Sequence, residues 1–446
     1  MRNFHFQTAL LPEGWADDVV IAVEDGVIAD MSVGQPCPPF TDRLAGVAVP
    51  GVPNLHSHAH QRAMAGLTER SGAGEDSFWT WRQAMYRAVQ AITPEDLQVI
   101  ATQAFIEMLQ GGYTHVAEFH YLHHQPDGTP YADPAEMARR IIAAAEAAGI
   151  GLTLLPVLYA AGGFGSVPTT EGQRRFASGL DGFLKLRAAL PPPGPGMVWG
   201  VAPHSLRAVP PAVLAGLLEQ APAGPVHIHV AEQRLEVAEC LAATGQRPVQ
   251  WLLDHAAVDA RWCLVHATHV EDAEAAAMAR AGAVVGLCPT TEADLGDGVF
   301  PAAAFQAAGG VFGVGSDSQV SASVLDELRL LEWGQRLVSG RRTVLAGGPG
   351  RSTGRTLLTE AARAGARACG IETGTIDVGM RADIVVLAGT RTGDAALDTA
   401  MFAARGNPVR HVVSRGECVV REGAHRLGTV AAERFARVMA RLEQAA

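Results

Sequence analysis

The stretch Pro50-Gly51-Val52-Pro53-Asn54-Leu55-His56-Ser57-His58 is an apolar run that ends in two histidines two residues apart. In a β-strand that spacing puts both imidazoles on one face. If the strand belongs to a parallel barrel, both rings point inward near its C-terminal mouth, where such folds place their chemistry. Neutral imidazole is the commonest metal ligand, so the pair is half of a metal site. Taken alone it also reads as two polar residues in a loop, and the rest of the chain decides.

A chain of 446 residues is too long for one small core and suits one large α/β domain with an accessory domain. Hydrophobic residues make up 48 % of it, enough for a large core, yet no run of 18 apolar residues escapes a charge or a turn signal. The beginning, Met1-Arg2-Asn3-Phe4-His5-Phe6, lacks a basic patch followed by an apolar segment, so a cytoplasmic protein without a membrane partner is expected. Cys37, Cys240, Cys263, Cys288, Cys369 and Cys418 lie far apart with no CxxC pair, which reads as scattered reduced thiols. A net charge of -11 argues against nucleic acid as a partner, because no basic excess is present to displace counterions from phosphates. An anionic substrate would have to be held by local arginines.

Short apolar runs such as Asp18 to Val23 and Gly26 to Ala29, punctuated by Gly and Asp, read as antiparallel strands with tight turns. The same grammar returns in Ala382 to Leu387 and around Arg415-Gly416-Glu417. One small β-sandwich domain built from both chain ends, residues 1–48 and 375–446, with a final helix from about Val430 to Leu442, accounts for both. Between them, residues 49–374 alternate apolar runs with Ala-rich helical patterns. Eight candidate strands end at His58, Glu118, Tyr159, Val201, Val230, His266, Leu287 and Gly315, with helical segments such as Pro94 to Gln110, Pro134 to Ala148 and Glu271 to Ala281 between them. This is the signature of an α/β fold with a (β/α)8 TIM-like barrel, and a doubly wound sheet is the competing architecture. Pro191 to Gly196 reads as a stiff connector into the fourth strand, and the Gly-rich Ala346 to Gly354 as a flexible loop before a helix.

The later strand ends test the first. In the fifth strand His227 and His229 alternate, and His229, nearer the C-terminal end, is assigned to the metal, with His227 in the layer below as a core histidine. The sixth strand ends at His266 and the eighth runs into Gly315-Ser316-Asp317-Ser318. His56, His58, His229 and Asp317 together offer three nitrogens and one carboxylate oxygen, a set suited to one Zn²⁺ or another divalent first-row ion with room for a water. Such an ion brings the pKa of its water near neutrality. Glu232, three residues past His229, is placed to carry a proton between that water and a leaving group, and His266 beside Asp317 to deprotonate the water or stabilise developing charge.

With these residues in place the chain resembles the amidohydrolase superfamily, whose barrels carry HxH after strand one, histidines after strands five and six, and aspartate after strand eight. The resemblance spans the whole chain, including the β-domain from both ends. In binuclear members a carboxylated lysine on strand four bridges two metals; the sole lysine here, Lys185, precedes the proline connector, so the resemblance implies a mononuclear site of the deaminating branch. Within that branch, Asn54 to Met64, Trp81-Arg82, Glu118 to Tyr121, His204 to Val209, Ala231-Glu232-Gln233, His266 to His269 and Gly315 to Ser318 resemble the N-formimino-L-glutamate deiminase family of histidine degradation. That family usually has phenylalanine where this chain has His60.

What the resemblance implies is hydrolysis at a formimino carbon, a small dicarboxylate substrate, and a homodimer. It assigns Arg82 and Arg207 to substrate binding, with Gln61, Tyr121 and His204 as further polar contacts. Two carboxylates need two clamps in an acidic protein, and guanidinium groups pair with carboxylates bidentately. Trp79 and Trp81 are expected to pack a lid or wall. His120, His123 and His124 form a local cluster beside Gln125 to Gly128, a solvent-facing turn. Two rival readings remain: a deaminase of an aromatic base or nucleoside, which would want a stacking pocket and fewer guanidinium groups, and a non-catalytic metal-binding scaffold, which should have lost Glu232, His266 or Asp317.

Overall fold

β-Branched and aromatic residues at alternate positions make both chain ends into strands, and these strands meet in one sheet. The computed structural model describes residues 2–70, 74, 76–220 and 223–445. From the N-terminal side come β1 (Arg2–Leu11), β2 (Gly14–Glu24), β3 (Val27–Val33) and β4 (Asp42–Pro50). From the C-terminal side come β14 (Ile384–Leu387), β15 (Val409–Ser414), β16 (Glu417–Arg421) and β17 (Ala424–His425). Their order is β17-β16-β15-β14-β4-β1-β2-β3, and β4 is the pivot, parallel to β1 and antiparallel to β14. Phe4, Phe6, Val19, Ile21, Leu44, Ile384, Val386 and Val413 close a core of their own here. All eight strands hydrogen-bond in a single run, which differs from the expected sandwich of two sheets because β4 carries the ladder from one chain end into the other.

The intervening chain supplies β5 (Val52–Ser57), β6 (Tyr113–His120), β7 (Gly151–Leu158), β8 (Met197–Trp199), β9 (Ala202–Pro203), β10 (Val226–Val230), β11 (Trp262–His266), β12 (Val284–Leu287) and β13 (Val311–Val314). They form two parallel arcs, β5-β6-β7-β8 with β9 on β7, and β10-β11-β12-β13. Single bridges join the arcs: Val201 to Val226 and Ser205 to His229 at one seam, Ser57 to Asp317 at the other. Nearly every residue of these strands is buried, which is why they read as continuous apolar runs and not as alternating ones. The arrangement is α/β and fits the TIM-barrel kind, with its ladder in two bridged arcs.

The fourth expected strand is broken. A side chain at Gly200 would come within 2.6 Å of Leu155 Cδ2 and of the Pro225 carbonyl oxygen, and at this close approach the pairing changes hands: the Gly200 amide still donates to the Leu154 carbonyl at 2.9 Å, Val201 bridges to Val226, and β9 returns to β7. The helix Pro94–Gln110 begins where the sequence places it, with Thr93 Oγ1 accepting from Asp96 N and the Asp96 carboxylate accepting from Thr93 N. The final helix, Gly428–Ala445, packs against Pro94–Gln110, with Phe435, Met439 and Leu442 against the large core. No helix among the described residues is long and apolar enough to cross a membrane.

Candidate active site

Strand β5 ends at Ser57, so His56 is its penultimate residue and His58 stands just beyond, at the start of a 3-10 turn over Ala59–Ala63. The two rings still converge, because the Asp317 amide donates to the His56 carbonyl at 3.0 Å and the His58 amide donates to the Asp317 carbonyl at 3.1 Å. This pairing brings the end of β13 against β5, and only glycine fits at Gly315, where a Cβ would lie 2.7 Å from the His56 oxygen. His56 Nε2 is 3.0 Å from His229 Nε2 and 3.6 Å from Asp317 Oδ1, and His58 Nε2 is 3.4 Å from the same oxygen. The ligand atoms of His56, His58 and His229 all lie within 4.8 Å of one another, as do those of His56, His266 and Asp317.

Outer partners fix the tautomers. His58 Nδ1 lies 2.9 Å from the Phe119 carbonyl and His229 Nδ1 lies 3.0 Å from the His204 carbonyl, so each donates outward and turns a bare Nε2 inward. Burial holds His56 and His229 well below the usual imidazole value, each pushed further by neighbouring histidines, and burial lowers His58 against the pull of Asp317. Three neutral nitrogens and a carboxylate facing one point are a donor set that fits a divalent cation.

The ends of β10, β11 and β13 are strained where these side chains leave them. Ala231, His266, Ala267 and Asp317 all have φ between 42° and 66°, a region non-glycine residues enter at a cost, and surrounding bonds hold them there. The Glu236 carboxylate accepts from the amides of Ala231 and Glu232 at 3.2 and 3.0 Å, locking the turn that aims Glu232. His266 Nε2 lies 3.7 Å from both Glu232 Oε1 and Asp317 Oδ2. On its other side His266 Nδ1 lies 3.2 Å from Glu292 Oε1, which also accepts from the Cys288 amide at 2.9 Å. Burial pushes the Glu232 carboxyl up to about 7 against the pull of His266. Burial also opposes a charge on His266, but the carboxylates of Glu232, Glu292 and Asp317 outweigh it and raise that imidazole to about 10.

Beside this cluster a cavity is lined by His58, Gln61, Trp81, Arg82, Tyr86, Tyr121, Tyr159, His204, Arg207, Glu232, His266 and Asp317, among others. All the substrate-binding residues expected from the sequence are therefore on its wall. Gln61 Nε2 donates to Tyr121 Oη at 2.7 Å and leaves its own Oε1 without a protein partner. Arg82 Nε and Nη1 are buried and have no partner among the described residues. Burial lowers the Arg82 pKa, while Arg207, also opposed by burial, is raised by Tyr159, Glu236 and Glu232. A wider groove past Arg62, Glu107 and Asn407 contains none of the ligating side chains.

Several features lay outside the sequence reading. Glu236 and Glu292 stand in short helices after strands, where a carboxylate reads as surface charge; the signal for Glu292 is its place in the first turn after Pro289, directly behind a strand. His227 is the core histidine expected, with Nε2 2.8 Å from the Ala368 carbonyl. His120 and His123 are buried, unlike the exposed turn beside them, because His123 Nε2 bonds the Val157 carbonyl at 3.0 Å and pulls the segment inward. Trp81 is in the cavity wall, whereas Trp79 stands behind the arginines.

Comparison with known proteins gives consistent matches. The Amidohydrolase family model matches residues 47–419, and a model of the N-terminal domain of the formimidoylglutamate deiminase HutF matches residues 1–42. A formimidoylglutamate deiminase of Pseudomonas aeruginosa is 52 % identical over 455 residues, covering 99 % of this chain and 100 % of the relative. Among solved structures, an amidohydrolase from Brucella melitensis superposes with a TM-score of 0.94 at 48 % identity, over 99 % of this chain and 100 % of that one. An adenosine deaminase from Xanthomonas campestris with bound zinc, 23 % identical, shares the fold at a TM-score of 0.77, over 99 % and 98 % of the two chains.

Proposed function

The chain belongs to the amidohydrolase family, and from that premise we propose that it hydrolyses N-formimino-L-glutamate to N-formyl-L-glutamate and ammonia, a step of histidine degradation. The observation that carries this reading is the convergence of two guanidinium groups, one with unpartnered buried donors, on the cavity that holds the His–Asp cluster. A linear substrate with a carboxylate at two positions matches that pair; a flat aromatic base does not use it.

The metal in this reading is one Zn²⁺ per chain, held by His56, His58, His229 and Asp317. The sole lysine, Lys185, is exposed on the helix Leu180–Ala189, so no lysine is available to bridge a second ion. Bound there, the ion supplies an activated water at neutral pH. Arg82 and Arg207 grip the two carboxylates, and Gln61, Tyr121 and His204 orient the formimino group over the cluster. As water adds to the formimino carbon, Glu232 takes its proton and passes it to the terminal nitrogen. The C–N bond to that nitrogen then breaks, ammonia leaves, and the formyl group stays on the glutamate nitrogen. Asp317 assists removal of the water proton, and His266, kept cationic by the carboxylates around it, steadies the negative charge that develops on oxygen. In architecture, the two arcs correspond to one (β/α)8 barrel over residues 49–374, with residues 1–48 and 375–446 as the accessory domain.

Metal analysis paired with turnover tests the proposal. About one metal per chain and release of ammonia from N-formimino-L-glutamate are expected, with Arg82→Met and Arg207→Met each raising KM by at least about tenfold. Robust turnover of an aminopurine with no action on N-formimino-L-glutamate would sink it.

A further inference from the structure

Trp79 lies in the first turn of the helix Phe78–Gln90, half-buried and outside the cavity wall. Its indole stands behind both arginines: the Arg82 guanidinium carbon is 4.5 Å from the ring centroid and that of Arg207 is 5.6 Å away. One arginine comes from this helix and the other from the segment after β9, so the indole is where two distant parts of the chain meet. Arg82 also lies 5.6 Å from the Tyr86 ring, but Trp79 is the aromatic that both guanidinium groups share.

Two like charges facing one small cavity repel, and two buried Arg82 donors with no partner among the described residues add to the cost of holding that arrangement ready. An aromatic face offers a negative quadrupole to a cation, and indole offers the strongest among the side chains. We propose that Trp79 is a positioning residue for the substrate carboxylates: its indole holds the Arg82 and Arg207 guanidinium groups side by side before substrate arrives, and so sets the preference for a ligand with two carboxylates over a ligand with one. This rests on the dicarboxylate reading of the cavity. Apolar packing alone would make any bulky side chain sufficient at position 79, whereas holding two cations needs a π face.

The test measures kcat and KM for N-formimino-L-glutamate, and Kd for glutarate and for butyrate, on the zinc-loaded protein and its Trp79→Leu, Trp79→Gln and Trp79→Phe variants. Leu and Gln are expected to raise KM and the glutarate Kd by roughly tenfold, with kcat within about twofold and butyrate affected less, while Phe restores most of the loss. Two smaller side chains without a π face, one apolar and one polar, are included so that misfolding of one, seen as lost metal or a lowered Tm, leaves the other to decide. Wild-type KM and Kd in a folded Leu or Gln variant, or a Phe variant as impaired as Leu, would overturn the inference. If the wild type fails to turn over N-formimino-L-glutamate while its glutarate affinity still depends on Trp79 in this way, the functional reading falls and the positioning role stands.

Discussion

Glu232 sits within 3.7 Å of His266 on a turn locked by Glu236, with its carboxyl raised to about 7 by burial. Near neutral pH such a group both accepts and donates a proton, which is what a shuttle between water and a leaving nitrogen requires. Glu232→Gln should therefore lower kcat by about a hundredfold or more while metal content measured by elemental analysis stays at the wild-type level. Glu292→Gln should cost roughly tenfold in kcat with KM nearly unchanged, since it weakens the bond that orients His266 and does not itself line the cavity. At this scale the sequence was legible where a polar residue stands at or near the end of an apolar run, as His56, His229, His266 and Asp317 do, with Glu232 following closely. Glu236 and Glu292 were not legible, because a helix displays carboxylates every few residues and only the fold tells which of them turn inward.

Among the elements, the seam between β5 and β13 is the most demanding. Asp317 reaches the histidine pair only because the chain at Gly315 passes against the His56 backbone, where a methyl group would also lie 2.8 Å from the His56 nitrogen. Gly315→Ala is expected to destabilise the fold by about 1–3 kcal/mol through overpacking and to reduce bound metal, both readable by denaturant unfolding and metal analysis. Element order was largely legible, since strands buried on both faces and separated by Ala-rich helices admit few alternatives. The break at Gly200 and the exit of His58 from its strand were not. Each depends on what lies across the sheet, Leu155 and Pro225 in one case and Asp317 in the other, and no local pattern encodes such neighbours.

At the scale of the whole molecule, buried histidines tie stability to pH. Burial lowers His123 to about 3 and His227 to about 4, so the unfolded chain takes up protons near pH 6.5 that the folded chain refuses. The stability contributed by these two histidines is therefore full above about pH 6.5 and falls as pH drops toward 4, by about 1.4 kcal/mol per pH unit for each of them. Urea unfolding at pH 6.5 and 5.0 should show His123→Asn losing less stability on acidification than the wild type by about that slope. The union of both chain ends was legible from matching strand grammar, but the single ladder was not, because which edges pair is decided by β4 alone. That pivot also imposes an order on synthesis. β4 is complete at Pro50, whereas its partner β14 begins at Ile384, and at about 10 residues per second the delay is roughly half a minute. Until Ile384 has been added, the edge of β4 that β14 covers has no strand of its own chain to pair with, and an uncovered edge is a template for pairing with another chain.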